Sequence, residues 1–212
     1  MYTSIVRFFQ DGGPFMYPIM VVLAIGLAIA IERYVYLSAS KRQNRKLLKQ
    51  LLPLLQSGDY QQAYGITSKS NQAISRILSQ GLAQFKTATH RDDIESAMEE
   101  SLMETIPRLE KRTHYLATFA NIATLLGLLG TIIGLIKAFT AVAQVDPAMK
   151  SEILSTSISV AMNTTAFGLI VAIPLLLFFA VLQTKTTEIV DSLEMAVVKF
   201  SNLMMQRKSP GK

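Results

Sequence analysis

The sequence predicts an all-α membrane protein: three transmembrane helices with long cytoplasmic helical extensions. Three observations predict it. Residues 12–31, 113–136 and 153–184 contain no Asp, Glu, Lys or Arg, and a bilayer core of about 30 Å takes roughly 20 apolar residues of helix. Backbone in hydrocarbon has to satisfy its own hydrogen bonds, so each run is read as a helix. The basic residues are also unevenly spread: twelve Lys/Arg lie in residues 39–112, two in 137–152 and five after 184. The positive-inside rule then puts the middle segment and the tail in the cytoplasm, with the N-terminus and the short link on the other side.

The formal net charge of +6 follows from this orientation. No nucleic-acid partner is needed, because the basic residues gather beside helix ends rather than interleaving with aromatics. Without cysteine there are no disulfides, thiolate metal sites or thiol chemistry, and His90 and His114 are too few and too scattered for a metal cluster.

Residues 1–14 are expected to form an outer-face amphipathic segment, with Ile5, Phe8 and Phe9 at the interface before the Gly12-Gly13-Pro14 turn. Only Arg7 precedes the first apolar run, whereas Lys41, Arg42, Arg45, Lys46 and Lys49 follow it. A retained helix fits this better than a cleaved signal peptide. Transmembrane helix 1 spans 15–37, with Tyr34 and Tyr36 as interface anchors, and continues through helix-forming residues 41–55 with Pro53 as the interruption.

The cytoplasmic domain, 38–112, reads as helical throughout. Asp59 is an N-cap. Ile74, Ile77, Leu78, Leu82 and Phe85 repeat at three-to-four-residue spacing. A further helix starts at Arg91-Asp92-Asp93, with Ile94, Ala97, Met98, Leu102 and Ile106 on one face. Pro107 kinks it, and residues 109–116 resume the pattern, so it is expected to run directly into transmembrane helix 2 at 113–140. An outer-face loop at 141–152 leads to transmembrane helix 3 at 153–184, where Pro174 removes one hydrogen bond. Residues 185–212 form a C-terminal helix and tail. There is no phosphate loop, nucleophile elbow or paired histidine-carboxylate pattern, so no enzyme is read here. The absence of internal repeats weighs against a solute transporter.

The chemistry concentrates in helices 2 and 3. Gly130 and Gly134 form a G-x-x-x-G step, which with Gly127 lets a neighbouring backbone approach closely; Gly168 and Pro174 are grouped with them as packing residues. Asn121, Thr124, Leu128 and Thr131 share one face of helix 2. On helix 3, Ser155, Ser159 and Asn163 follow at i, i+4 and i+8, with Thr164 and Thr165 continuing around. A hydroxyl can bond back to its own helix. The Asn163 amide cannot, and an unpaired amide in hydrocarbon costs several kcal/mol, so it should face protein or water. Interhelical glue and the lining of a polar path both remain open readings. Neither run holds a carboxylate, so a proton crossing here needs a titratable group from elsewhere.

L-L-G-L-L-G-T-I-I-G-L-I-K-A-F (125–139) and A-M-N-T-T-A-F-G-L-I-V-A-I-P (161–174), with I-E-R at 31–33, resemble the signatures of the MotA/TolQ/ExbB family of ion-channel subunits. The ExbB/TolQ branch is the most similar. The resemblance covers the whole chain and implies a homo-oligomeric ring, typically a pentamer, with helices 2 and 3 around a central pore. It also implies an ExbD/TolR-like single-span protein dimer inside that pore, whose aspartate binds the permeant ion. Ion flow would turn this partner and energise envelope work or transport at the bacterial inner (cytoplasmic) membrane, the N-terminus periplasmic and the C-terminus cytoplasmic.

Thr131 and Thr165 match the family's pore-facing threonines near that aspartate. Asn163, Thr164, Ser159 and Thr124 complete the expected ion pathway. No cofactor is implied beyond the permeant ion, membrane lipid is the surrounding partner, and the only metal contact is a transient sodium at Thr131, Thr164 and Thr165. One departure stands out: Val160 replaces the glutamate that ExbB and TolQ place five residues before the matched Thr165. Proton is the branch's usual ion, and the neutral oxygens of Asn163-Thr164-Thr165 keep sodium as the alternative. A scaffold without ion conduction is the competing reading, and it implies tolerance of Thr131→Val and Thr165→Val.

Overall fold

A computed structural model describes residues 8, 12–85, 87, 88 and 90–208. The described residues are almost entirely α-helical, with no strand among them. The helices are α1 (Met16–Ser57), α2 (Tyr60–Ser68), α3 (Ala73–Gln84), α4 (Arg91–Glu110), α5 (Thr113–Val142) and α6 (Pro147–Lys208). Three of the helical stretches are long and apolar enough to cross a membrane, one in α1, one ending in α5 and one in α6. Ile5 and Phe9 of the expected amphipathic segment lie outside the described residues, as do residues 209–212.

The helices form two units. The first comprises the chain up to Glu32 together with Arg112–Val181. Its interior is built from small residues: Ala120, Ala123, Gly127 and Gly130 of α5 and Ala161, Thr164 and Gly168 of α6 are buried. Small side chains let two backbones approach where hydrophobic burial gives no advantage over lipid. The large apolar residues point the other way. Leu125, Ile136 and Phe139 of α5 and Ile170, Ile173 and Leu177 of α6 are all more than half exposed. A soluble core would bury these and leave polar groups outside; here the order is inverted, as a lipid-facing surface requires. The expected Gly12–Pro14 turn is present, with Gly13 at φ 75° and the Met16 N–H donating to its carbonyl at 3.2 Å.

The second unit comprises Arg33–Lys111 and Leu182–Lys212. It is packed as a water-facing bundle, burying Leu47, Leu51 and Leu55 of α1, Ile74, Ile77 and Leu78 of α3, Ile94 and Met98 of α4, and Leu193, Val197 and Phe200 of α6. Asp59 caps α2, accepting from the Gln62 N–H at 3.0 Å. His90 and Asp93 form a reciprocal capping box at the start of α4. The aromatic ring of Phe85 packs against Tyr60 at a 45° tilt, with centroids 4.5 Å apart. Gly65, inside α2, has no atom within 4 Å of an added Cβ. Gly65→Ala is therefore expected to stabilise the protein by about 0.5–1 kcal/mol through helix propensity alone, read as a raised thermal midpoint.

Three sequence expectations are corrected. Pro53 does not interrupt α1, which continues to Ser57; burial of Leu51 and Leu55 on either side of it offsets the lost hydrogen bond. Helix α4 does not run into α5. Lys111 is extended, and Arg112 adopts a left-handed conformation at φ 65°. Such a residue terminates a helix, and glycine is its usual occupant. An ion pair to Glu32 at 2.9 Å holds the Arg112 guanidinium. The loop expected at 141–152 is shorter, because α5 extends to Val142 and α6 begins at Pro147. Charges at Lys150 and Glu152 end the apolar run without ending the helix, and proline suits the first helical turn.

Candidate functional site

The backbones of α5 and α6 come into close contact in the first unit at Gly127 and Gly168. A Cβ on Gly168 would lie 2.7 Å from the Ala123 carbonyl oxygen and 3.1 Å from Gly127 Cα, and one on Gly127 would lie 3.2 Å from Thr165 Cα. One turn further along, a Cβ on Gly130 would meet Thr164 Cγ2 at 2.4 Å, and one on Gly134 would meet Ala161 Cβ at 2.9 Å. The glycines thus bring the α6 threonines against α5 within a single chain.

Two of those threonines meet. The hydroxyls of Thr131 and Thr165 are 2.5 Å apart. Each also reaches the Gly127 carbonyl, Thr131 at 3.1 Å and Thr165 at 2.9 Å. Three oxygens share two hydroxyl protons, and two arrangements keep a bond between the hydroxyls: either threonine donates to Gly127 while the other donates to its partner hydroxyl. In each arrangement the hydroxyl that donates to its partner keeps both lone pairs, and the other keeps one, for an outside donor or cation. Both side chains are half-buried. Neither hydroxyl titrates in the physiological range, so the pair can bond a proton carrier or a hydrated ion but cannot store the proton itself.

The other expected pathway residues are not all gathered there. Thr164 is buried, and its hydroxyl donates to the Gly12 carbonyl at 2.6 Å, with the Val160 carbonyl at 3.1 Å. It ties the N-terminal turn to α6, while Thr131 and Thr165 pair without it. Thr124 is exposed on the α5 face of Thr131 and donates to the Ala120 carbonyl at 3.1 Å. Asn163 is half-buried and Ser159 exposed. At about 100° per residue, Asn163 lies roughly 160° around α6 from Thr165. The amide therefore belongs to a separate face, continuous with Ser159 and Ser155. Among the described residues nothing bonds its side chain, which leaves it available outside this chain. Pro174 is exposed within an unbroken α6. Val160 packs against the Gly13 turn, 3.3 Å from where a Cβ on Gly13 would sit.

Two features were missed in the sequence. The Gly127 carbonyl, a shared acceptor for both threonines, carries no signal in a one-letter code. The Gly12 carbonyl that receives Thr164 is 152 residues away, and only the Gly12-Gly13 pair hinted at an unusual backbone there.

The sequence model described as the MotA/TolQ/ExbB proton channel family matches residues 69–195. A biopolymer transport protein ExbB homolog of Methanothermobacter thermautotrophicus is 26% identical over 203 residues, covering 95% of this chain and 70% of that one. An ExbB-like biopolymer transport protein of Synechocystis sp. is 30% identical over 187 residues, with 86% and 72% covered. The Tol-Pal system protein TolQ of Haemophilus influenzae is 29% identical over 116 residues, 55% of this chain and 50% of that protein.

Proposed function

The chain belongs to the MotA/TolQ/ExbB proton channel family, and from that premise we propose that it is the pore-ring subunit of an ion-driven motor in a bacterial inner membrane. Several copies, typically five, surround a central pore. An ExbD/TolR-like single-span dimer occupies that pore and supplies the titrating aspartate. Ion flow turns the partner, which energises envelope work or transport; the ExbB relatives are biopolymer transport proteins by name. The N-terminus lies on the periplasmic side and the C-terminus in the cytoplasm.

One observation carries this reading: the Thr131–Thr165 hydroxyl pair, bonded across two helices inside runs that hold no carboxylate. Packing alone accounts for the glycines. It does not call for two half-buried hydroxyls beside each other when alanine or valine would pack in lipid at less desolvation cost. A pair that accepts and donates but does not titrate suits a carboxyl arriving on a partner. Proton is the favoured ion, and sodium is the alternative, held transiently by the same hydroxyl oxygens.

The chain has no cysteine, which gives a clean background for disulfide mapping. Leu128, 52% exposed, lies on the α5 face of Thr124 and Thr131; Leu129, 42% exposed, is turned away from it. With a cysteine beside the partner's aspartate, Leu128→Cys is expected to cross-link and Leu129→Cys is not. Equal cross-linking at both positions, or at neither, would contradict the pore assignment.

A further inference from the structure

Two cavities in the second unit, of about 150 and 90 Å³, share three lining residues: Arg76 of α3 and Thr105 and Arg108 of α4. Each is far larger than the space one water needs. We propose that this crevice is a binding site for a phosphate group, carried by an anionic lipid headgroup or by a small soluble phosphate.

The charge distribution points to an anion. Two guanidinium groups border the same space, and among the described residues neither is in an ion pair. Like charges side by side are disfavoured unless a counter-charge lies between them. Arginine offers its donors in a planar fork that matches the oxygens of a phosphate. Glu104 is the one carboxylate lining the larger cavity; it pairs with neither arginine among the described residues, and the smaller cavity is lined by none.

Polar groups beneath the arginines fit the same ligand. Ser101 lines the larger cavity at 7% exposure. Its hydroxyl has no hydrogen-bond partner among the described residues and is free to donate. Thr105, 6% exposed, donates to the Ser101 carbonyl at 2.8 Å, which fixes the floor of the crevice. The smaller cavity reaches Ala73, the first residue of α3, so the positive end of that helix adds to the field. Tyr36 also lines it. That residue follows the end of the uncharged run at 31 by about 8 Å along α1, at 1.5 Å per residue, which is headgroup depth.

The test uses the full chain in detergent, titrated separately with dihexanoyl-phosphatidylglycerol and with pyrophosphate. Calorimetry is read on the wild type, R76Q, R108Q, the double variant R76Q/R108Q, and the charge-matched control R42Q/R45Q on α1. All four arginines are exposed, and circular dichroism checks that the variants keep their helix content. Saturable binding is expected for at least one probe, weakened about tenfold by each single replacement in the crevice and lost in that double variant. The control should bind as the wild type does. Binding of the lipid alone identifies a headgroup site; binding of pyrophosphate as well identifies a soluble phosphate. The proposal is overturned if neither probe binds the wild type, if R76Q/R108Q binds unchanged, or if R42Q/R45Q weakens binding equally.

Discussion

Thr165→Val is expected to reduce ion-driven work to the background of cells lacking the chain, while the protein still folds and assembles with its partner. Valine replaces a hydroxyl by a methyl at nearly constant volume. The packing of α6 against Gly127 is therefore kept, and the bonds to Thr131 and the Gly127 carbonyl are lost. Each such bond is worth about 1 kcal/mol net, and about 0.6 kcal/mol inside a membrane. The stability cost is accordingly small, whereas the acceptor offered to a passing proton carrier disappears. Thr165→Ser keeps the hydroxyl and should retain a substantial part of the activity. Energised uptake in cells, read beside co-purification of the partner, checks both variants. Full activity in Thr165→Val would return the hydroxyl pair to the role of packing glue.

Gly168→Leu is expected to prevent folding of the membrane unit. A Cβ at this position meets the Ala123 carbonyl oxygen at 2.7 Å and Gly127 Cα at 3.1 Å, and both obstacles are backbone. Side chains can rotate aside; two helix backbones have to separate. A single added methyl in a tight interior costs about 1–3 kcal/mol, so even Gly168→Ala should lower the thermal midpoint in detergent, and leucine should leave little folded protein. Gly130→Leu belongs to the same class. Its Cβ meets Thr164 Cγ2 at 2.4 Å, and Thr164 is itself held by the Gly12 carbonyl. The contact lies within one chain, so the monomer's own packing is lost before any packing between copies.

The three spans were legible because an uncharged run of this length has few alternatives in physical terms. The capping at Asp59 and the buried stripe on α3 were legible for a similar reason: their signals are local. Helix ends were less so. Lys150 and Glu152 end the apolar run but not the helix, and Pro53 is carried through α1 by the leucines packed around it. The break at Arg112 depends on a left-handed backbone at a residue type that gives no warning of it. In the site, Thr131 and Thr165 could be picked out as hydroxyls in apolar runs. Their neighbours in sequence, Asn163 and Thr164, looked like one cluster with Thr165. Consecutive residues on a helix point about 100° apart, so Thr164 faces the N-terminal turn and Asn163 another surface entirely.

The most direct test of the central claim is ion flux into proteoliposomes holding this chain with its single-span partner, under separate proton and sodium gradients. The account predicts flux under one gradient only, the proton gradient being favoured, which requires the partner and is abolished by Thr165→Val. Flux undiminished by that replacement, or an intact complex that moves neither ion, would contradict it.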